Sequence, residues 1–109
     1  MLDELNARFD HGELLPAVVQ DIDSKEVLMV AWVNKEAFAA TTTSMRATFW
    51  SRSRNELWEK GATSGNFLDI VEIKFDCDAD SILYMVRSHG PACHTGERTC
   101  FHHNVKSSQ

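Results

Sequence analysis

A chain of 109 residues is long enough for one domain and too short for two. Its 43% hydrophobic and 25% charged residues fit a soluble globular protein, and no apolar run approaches the ~20 residues of a membrane helix. A net charge of −5 disfavours nonspecific attachment to nucleic acid or to an anionic membrane.

The N-terminal "MLDELNARFD" is charged and has no signal-peptide core, so the expected compartment is the cytoplasm. Leu2, Leu5 and Phe9 recur at helical spacing and predict a short first helix. "LPAVVQD" and "EVLMVAWV" are rich in β-branched and aromatic residues and flank the turn-like "IDSK", which predicts a hairpin. Asn34 is placed to cap a helix over "KEAFAATTTSM". "ATFWSRS" and "ELWEK" predict a second strand pair turning at Arg54-Asn55, and "GATSGN" reads as loop. "DIVEIKFDCD" and "SILYMVRS" predict a third pair turning at "DADS", and "TCFHHNV" a last extended piece. Mostly antiparallel hairpins with two short helices give an α+β fold, one domain over 1–109 with its core at about 14–105. In "VEIKFDCD" the alternation puts Val71, Ile73, Phe75 and Cys77 on one face, and Glu72, Lys74, Asp76 and Asp78 on the other.

All three cysteines, Cys77, Cys93 and Cys100, fall in the last third of the chain. An odd number argues against a complete disulfide framework, and clustered thiols in a reducing compartment point to metal or catalysis. Three thiolates suit zinc. A lone Cys77 would equally serve as a small apolar side chain, and His102 is placed to close a purely structural zinc site. His94 follows Cys93 directly. Its side chain should diverge from the thiol, which suits a general acid/base or a substrate contact, or simply an exposed loop histidine.

Reach sharpens the zinc reading. From Cys77 the strand "SILYMVRS" leads away for about 26 Å at ~3.3 Å per residue. The four residues His89 to Ala92 return at most roughly 16 Å. One chain with a regular hairpin therefore fails to converge its own sulfurs, and a homodimer, with Cys77 supplied by the neighbouring chain, is expected. Asp76, Asp78 and Asp80 form either a solvated acidic turn or, sharing a strand face, an oxygen site for magnesium.

The stretch "FWSRSRNELWEKGATSGN" sets Arg52, Arg54 and Lys60 among Ser51, Ser53, Ser64, Trp50 and Trp58. Arginines, hydroxyls and a glycine-rich loop suit a phosphate; the plain alternative is a solvated hairpin with core tryptophans.

Together "DCDAD", "GPACHTG" with "TCF", "WSRSR", "LWEKGATSGN" and "EVLMVAWVNKEA" resemble the phosphoribosyl-AMP cyclohydrolases of histidine biosynthesis, over about residues 14 to 101. The resemblance implies hydrolysis of the N1–C6 bond of the adenine ring in 1-(5-phosphoribosyl)-AMP to the ring-opened formimino-carboxamide ribonucleotide. It implies an intertwined homodimer with one zinc site per subunit, formed by Cys93 and Cys100 of one chain and Cys77 of the other. It further implies Mg²⁺ on Asp76, Asp78 and Asp80, His94 as the catalytic histidine, and substrate contacts from Arg54, Lys60, Ser64 and Gly65. Some relatives carry a C-terminal pyrophosphohydrolase domain; the expectation here is that this chain lacks it. The partner is a phosphorylated nucleotide, with no nucleic acid and no membrane.

Overall fold

The computed structural model describes residues 2–108. Both helices form. Helix α1 (Leu2–Asp10) buries Leu5 and Phe9, and α2 (Lys35–Ser44) buries Ala37 and Thr41. Asn34 caps α2: its side-chain oxygen accepts the N–H of Ala37 at 2.9 Å, satisfying one of the donors that a helix start leaves unpaired. Met45 ends α2 in the left-handed region, at φ 58°, and its N–H returns to the Thr41 carbonyl. The two helices meet through Phe9 and Phe38, with ring centroids 5.1 Å apart.

The three expected hairpins all form, as β1 (Leu15–Asp21) with β2 (Val27–Val33), β3 (Thr48–Ser51) with β4 (Glu56–Glu59), and β5 (Leu68–Phe75) with β6 (Ile82–Ser88). The turn residues explain why. Asp21 accepts the N–H groups of Asp23 and Ser24 and closes the first turn. Asn55, at φ 54°, takes the left-handed position of the second. The first and third hairpins then join side by side. β1 pairs with β6 in parallel, giving a four-stranded sheet of order β2-β1-β6-β5 beside the separate β3-β4 ribbon. The fold is α+β, mostly antiparallel with this one parallel pairing.

One sheet face packs on the helices and the ribbon. Ala17, Val19, Val33, Ile82, Tyr84 and Val86 are all buried there, and Phe49 of β3 bridges Tyr84 and Trp58. Buried Thr41 ties α2 to β3 by donating to the Ala37 carbonyl and accepting the Thr48 N–H at 3.0 Å. The other face is apolar but open. Its rows are Val30, Val18, Leu83 and Lys74, then Val27, Gln20, Met85 and Glu72, then Trp32 and Pro16, so that an apolar centre is edged by polar residues, with Val30 47% exposed.

Three local expectations are corrected. β5 carries a bulge, so that Ile70 faces Val86 and Glu72 faces Met85. The extra residue, Val71, turns outward, while Leu68 and Ile70 before it, and Ile73 and Phe75 after it, pack on the core. β5 also ends at Phe75, so Cys77 does not continue the apolar face; it is exposed in the turn. "TCFHHNV" forms no strand: its contacts with β2 are the Thr99 hydroxyl, donating to the Val27 carbonyl at 2.7 Å, and the Cys100 N–H, donating to the Leu28 carbonyl at 2.7 Å. No helix among the described residues is long and apolar enough to cross a membrane.

Candidate metal centre and substrate cleft

Asp76, Asp78 and Asp80 converge. One oxygen from each lies within 4.8 Å of the others. The means is not the expected shared strand face but a tight turn that Asp76 builds itself, its Oδ1 accepting the N–H groups of Asp80 (2.9 Å) and Ser81 (3.1 Å), with Ala79 left-handed at φ 58°. Crowding of like charges shifts their proton affinities. Hydrogen bonding to Asp76 and Asp78 pushes Asp80 up to about 6. Desolvation raises Asp76, but hydrogen bonds from Asp80 and from the backbone outweigh it and hold it below its usual value. A cation among the three would relieve this repulsion. The turn is also gripped from afar. Arg8 of α1 donates from Nε and Nη2 to the Asp78 carbonyl at 3.3 and 3.1 Å, while Nη1 holds Glu13.

The thiols divide into a pair and a single. Cys93 is 8% exposed, and its sulfur accepts a hydrogen bond from Thr95 Oγ1 at 3.0 Å. That bond, then the Thr95 N–H and His102, pull the Cys93 thiol down to about 6. The shift favours the Cys93 thiolate, the form that binds metal. Cys100 is exposed, and partial burial, then the neighbouring Cys93, raise its thiol. His102 Nε2 stands 3.8 Å from the Cys93 sulfur. Cys77 belongs to the far end of the molecule. It precedes β6 whereas Cys93 follows it, and seven residues of regular strand between them span about 20 Å. Among the described residues the three sulfurs form no common cluster. His94 is exposed, next to the buried Cys93.

Arg54, Lys60 and Ser64 line one cleft of about 420 Å³ along β4 and the loop after it, with Trp58, Glu56 and Glu59. Arg54 is partly engaged by Glu56 at 3.5 Å. Gly65 lies outside this lining and shapes it, its N–H closing onto the Gly61 carbonyl at 2.8 Å and its φ of +81° favouring glycine. Gly61 is fixed more tightly, since a Cβ there would lie 2.4 Å from the Phe67 nitrogen. The Lys60 ammonium opposes the rise of the Cys100 thiol only weakly, and burial and Cys93 outweigh it. Arg52 instead covers the Trp32 ring at 4.4 Å.

The profile of the family described as phosphoribosyl-AMP cyclohydrolase matches residues 29–102, which span β2, the cleft, the acidic turn and the thiol loop. The chain belongs to the phosphoribosyl-AMP cyclohydrolase family. Two of the relatives reported next are hydrolases by name. The phosphoribosyl-AMP cyclohydrolase of Lactiplantibacillus plantarum is 54% identical over 102 residues, covering 93% of this chain and 94% of that one. The phosphoribosyl-AMP cyclohydrolase of Archaeoglobus fulgidus is 46% identical over 105 residues, covering 96% and 97%. A histidine biosynthesis bifunctional protein of Thermus thermophilus is 55% identical over 95 residues, which are 87% of this chain and 44% of that protein. Sequence reasoning missed Thr95, which donates to the Cys93 sulfur, and Arg98, which fastens the thiol loop to Glu26. Thr95 alone left a local signal, a hydroxyl two residues from a cysteine.

Proposed function

We propose that this chain is a zinc-dependent phosphoribosyl-AMP cyclohydrolase of histidine biosynthesis, acting in the cytoplasm. It hydrolyses the adenine N1–C6 bond of 1-(5-phosphoribosyl)-AMP to the ring-opened formimino-carboxamide ribonucleotide. The observation that carries this reading, in a chain whose family match runs over residues 29–102, is the one cleft that Arg54, Lys60 and Ser64 line together.

The donor sets suit two metals. Cys93 and Cys100 are soft ligands with one sulfur already favoured as thiolate, which fits zinc. The convergent carboxylates fit Mg²⁺. Cys77 of the same chain stands too far along the hairpin to join the pair, so the third thiolate comes from a second copy, and the enzyme is a homodimer with one zinc site per subunit. The open apolar sheet face is a surface for such a copy to cover. When bound, zinc acidifies a water molecule, so that a nucleophile exists at neutral pH. The chain does the rest. Arg54 and Lys60 neutralise phosphate charge, the Ser64 hydroxyl donates to it, and Gly65 holds the loop in shape. His94, beside Cys93, moves a proton to or from the purine ring.

An absorbance assay with phosphoribosyl-AMP tests the reading. Turnover is expected, with loss on adding a zinc chelator and recovery on adding zinc. Absence of turnover, or indifference to the chelator, contradicts it. The His102–Cys93 approach of 3.8 Å favours one rival, a zinc staple with a saturated site and no chemistry. That rival requires His102→Ala to release zinc and the parent protein to be inert toward phosphoribosyl-AMP.

A further inference from the structure

The loop that carries Cys93 and Cys100 is closed on itself by backbone bonds. The Cys93 N–H donates to the Glu97 carbonyl at 3.2 Å, the Ala92 N–H to Arg98 at 3.1 Å and the Gly96 N–H to Cys93 at 3.0 Å. Its fastenings to the sheet sit at the Cys100 end. Thr99 Oγ1 donates to the Val27 carbonyl at 2.7 Å, and the Cys100 N–H donates to Leu28, a residue without a partner on β1 because β2 bulges there. Arg98 reaches further, to the turn between β1 and β2. Its Nε donates to Glu26 Oε1 at 2.6 Å, and Nη2 lies 3.4 Å from Ser24 Oγ and 3.5 Å from Asp21 Oδ1. Asp21 is a fixed target: it is 8% exposed, and its other oxygen accepts the Asp23 and Ser24 N–H groups. One guanidinium thus clasps an anchored carboxylate and a second carboxylate on one turn. The Arg98 side chain is 57% exposed, and surface ion pairs of this kind contribute little to global stability. What the clasp fixes is the distance between the thiol loop and the sheet edge.

We propose that Arg98 is a positioning residue, which through Glu26 and Asp21 holds the Cys93–Cys100 loop in the shape that receives the metal. The proposal rests on the zinc reading above. Supporting groups of this kind commonly change metal affinity by 10–100-fold. The test is competition for zinc between a chromogenic chelator and the intact protein, run on the parent, Arg98→Ala, Glu26→Gln and the double variant, beside urea unfolding of each zinc-free protein. Arg98→Ala is expected to weaken zinc binding about 10–100-fold with a nearly unchanged urea midpoint. Glu26→Gln is expected to weaken it less, and the double variant no more than Arg98→Ala alone. Parent-like zinc affinity in Arg98→Ala overturns the clasp while leaving the zinc reading intact. Additive losses in the double variant, or an affinity loss matched by a falling urea midpoint, overturn it too. A parent protein that takes no zinc overturns both.

Discussion

Cys93 and His94 are neighbours in the chain with opposite surroundings. Cys93 is buried under Thr95 and His102, and its thiol is pulled down to about 6; His94 is exposed. In the proposed reaction that division separates a ligand from a proton carrier, and the proposal leads to distinct outcomes on substitution. Cys93→Ala is expected to strip zinc and abolish ring opening together, read by metal analysis and the absorbance assay. His94→Ala is expected to keep its zinc and lose about 10²–10⁴-fold in kcat; full turnover by that variant would remove His94 from the reaction. At this scale the sequence singled out the acidic residues that the fold does bring together, Asp76, Asp78 and Asp80, because carboxylates in such concentration have few other uses. It did not identify what holds them. Arg8 reaches Asp78 across 70 positions and Arg98 reaches Glu26 across 72, and an arginine that acts at such range leaves no mark in its own neighbourhood.

At the scale of elements, the hairpins were legible because each couples alternating or β-branched strands to a turn with its own chemistry. The bulge at Val71, the early end of β5 and the absence of a strand after Cys100 were not. Strict alternation hides an inserted residue, and extended-looking sequence becomes strand only where an edge accepts it. The turn of the first hairpin makes a pH prediction. The Ser24 N–H, aided by the Asp23 N–H and Arg98 and opposed by burial, holds Asp21 below its usual value. A depressed carboxylate contributes stability above the unfolded-state value near 3.8, and that contribution is lost as pH falls through the lower folded-state value. Urea midpoints measured from pH 6 downward should therefore decline below about pH 4 more steeply in the parent than in Asp21→Ala. At neutral pH Asp21→Ala is expected to cost about 1–2 kcal/mol through the N–H groups left without an acceptor. Identical acid limbs would contradict the assignment.

The whole molecule is built around a parallel β1–β6 pairing that joins two hairpins separated by the 34 residues 34–67. No local pattern announces such a pairing, which is why the sheet order could not be read in advance although all three hairpins could. That sheet has one face on the core and one apolar face in the open, with Val30, Val27 and Val71 all more than a third exposed. Val30→Glu should keep the monomer fold and shift the protein toward monomers in sedimentation, and the monomer fraction should lose zinc along with activity. An undisturbed dimer would exclude this face as the interface.

The central claim is that each zinc takes sulfur from two chains. Co-expression of Cys77→Ala with Cys93→Ala addresses it most directly, because each variant alone lacks one half of every site. If sites are shared, half of the random dimers are mixed and each mixed dimer keeps one intact site of two, so about a quarter of the parent activity should return, with zinc in proportion. Mixed dimers verified by mass that regain neither zinc nor turnover would contradict the claim.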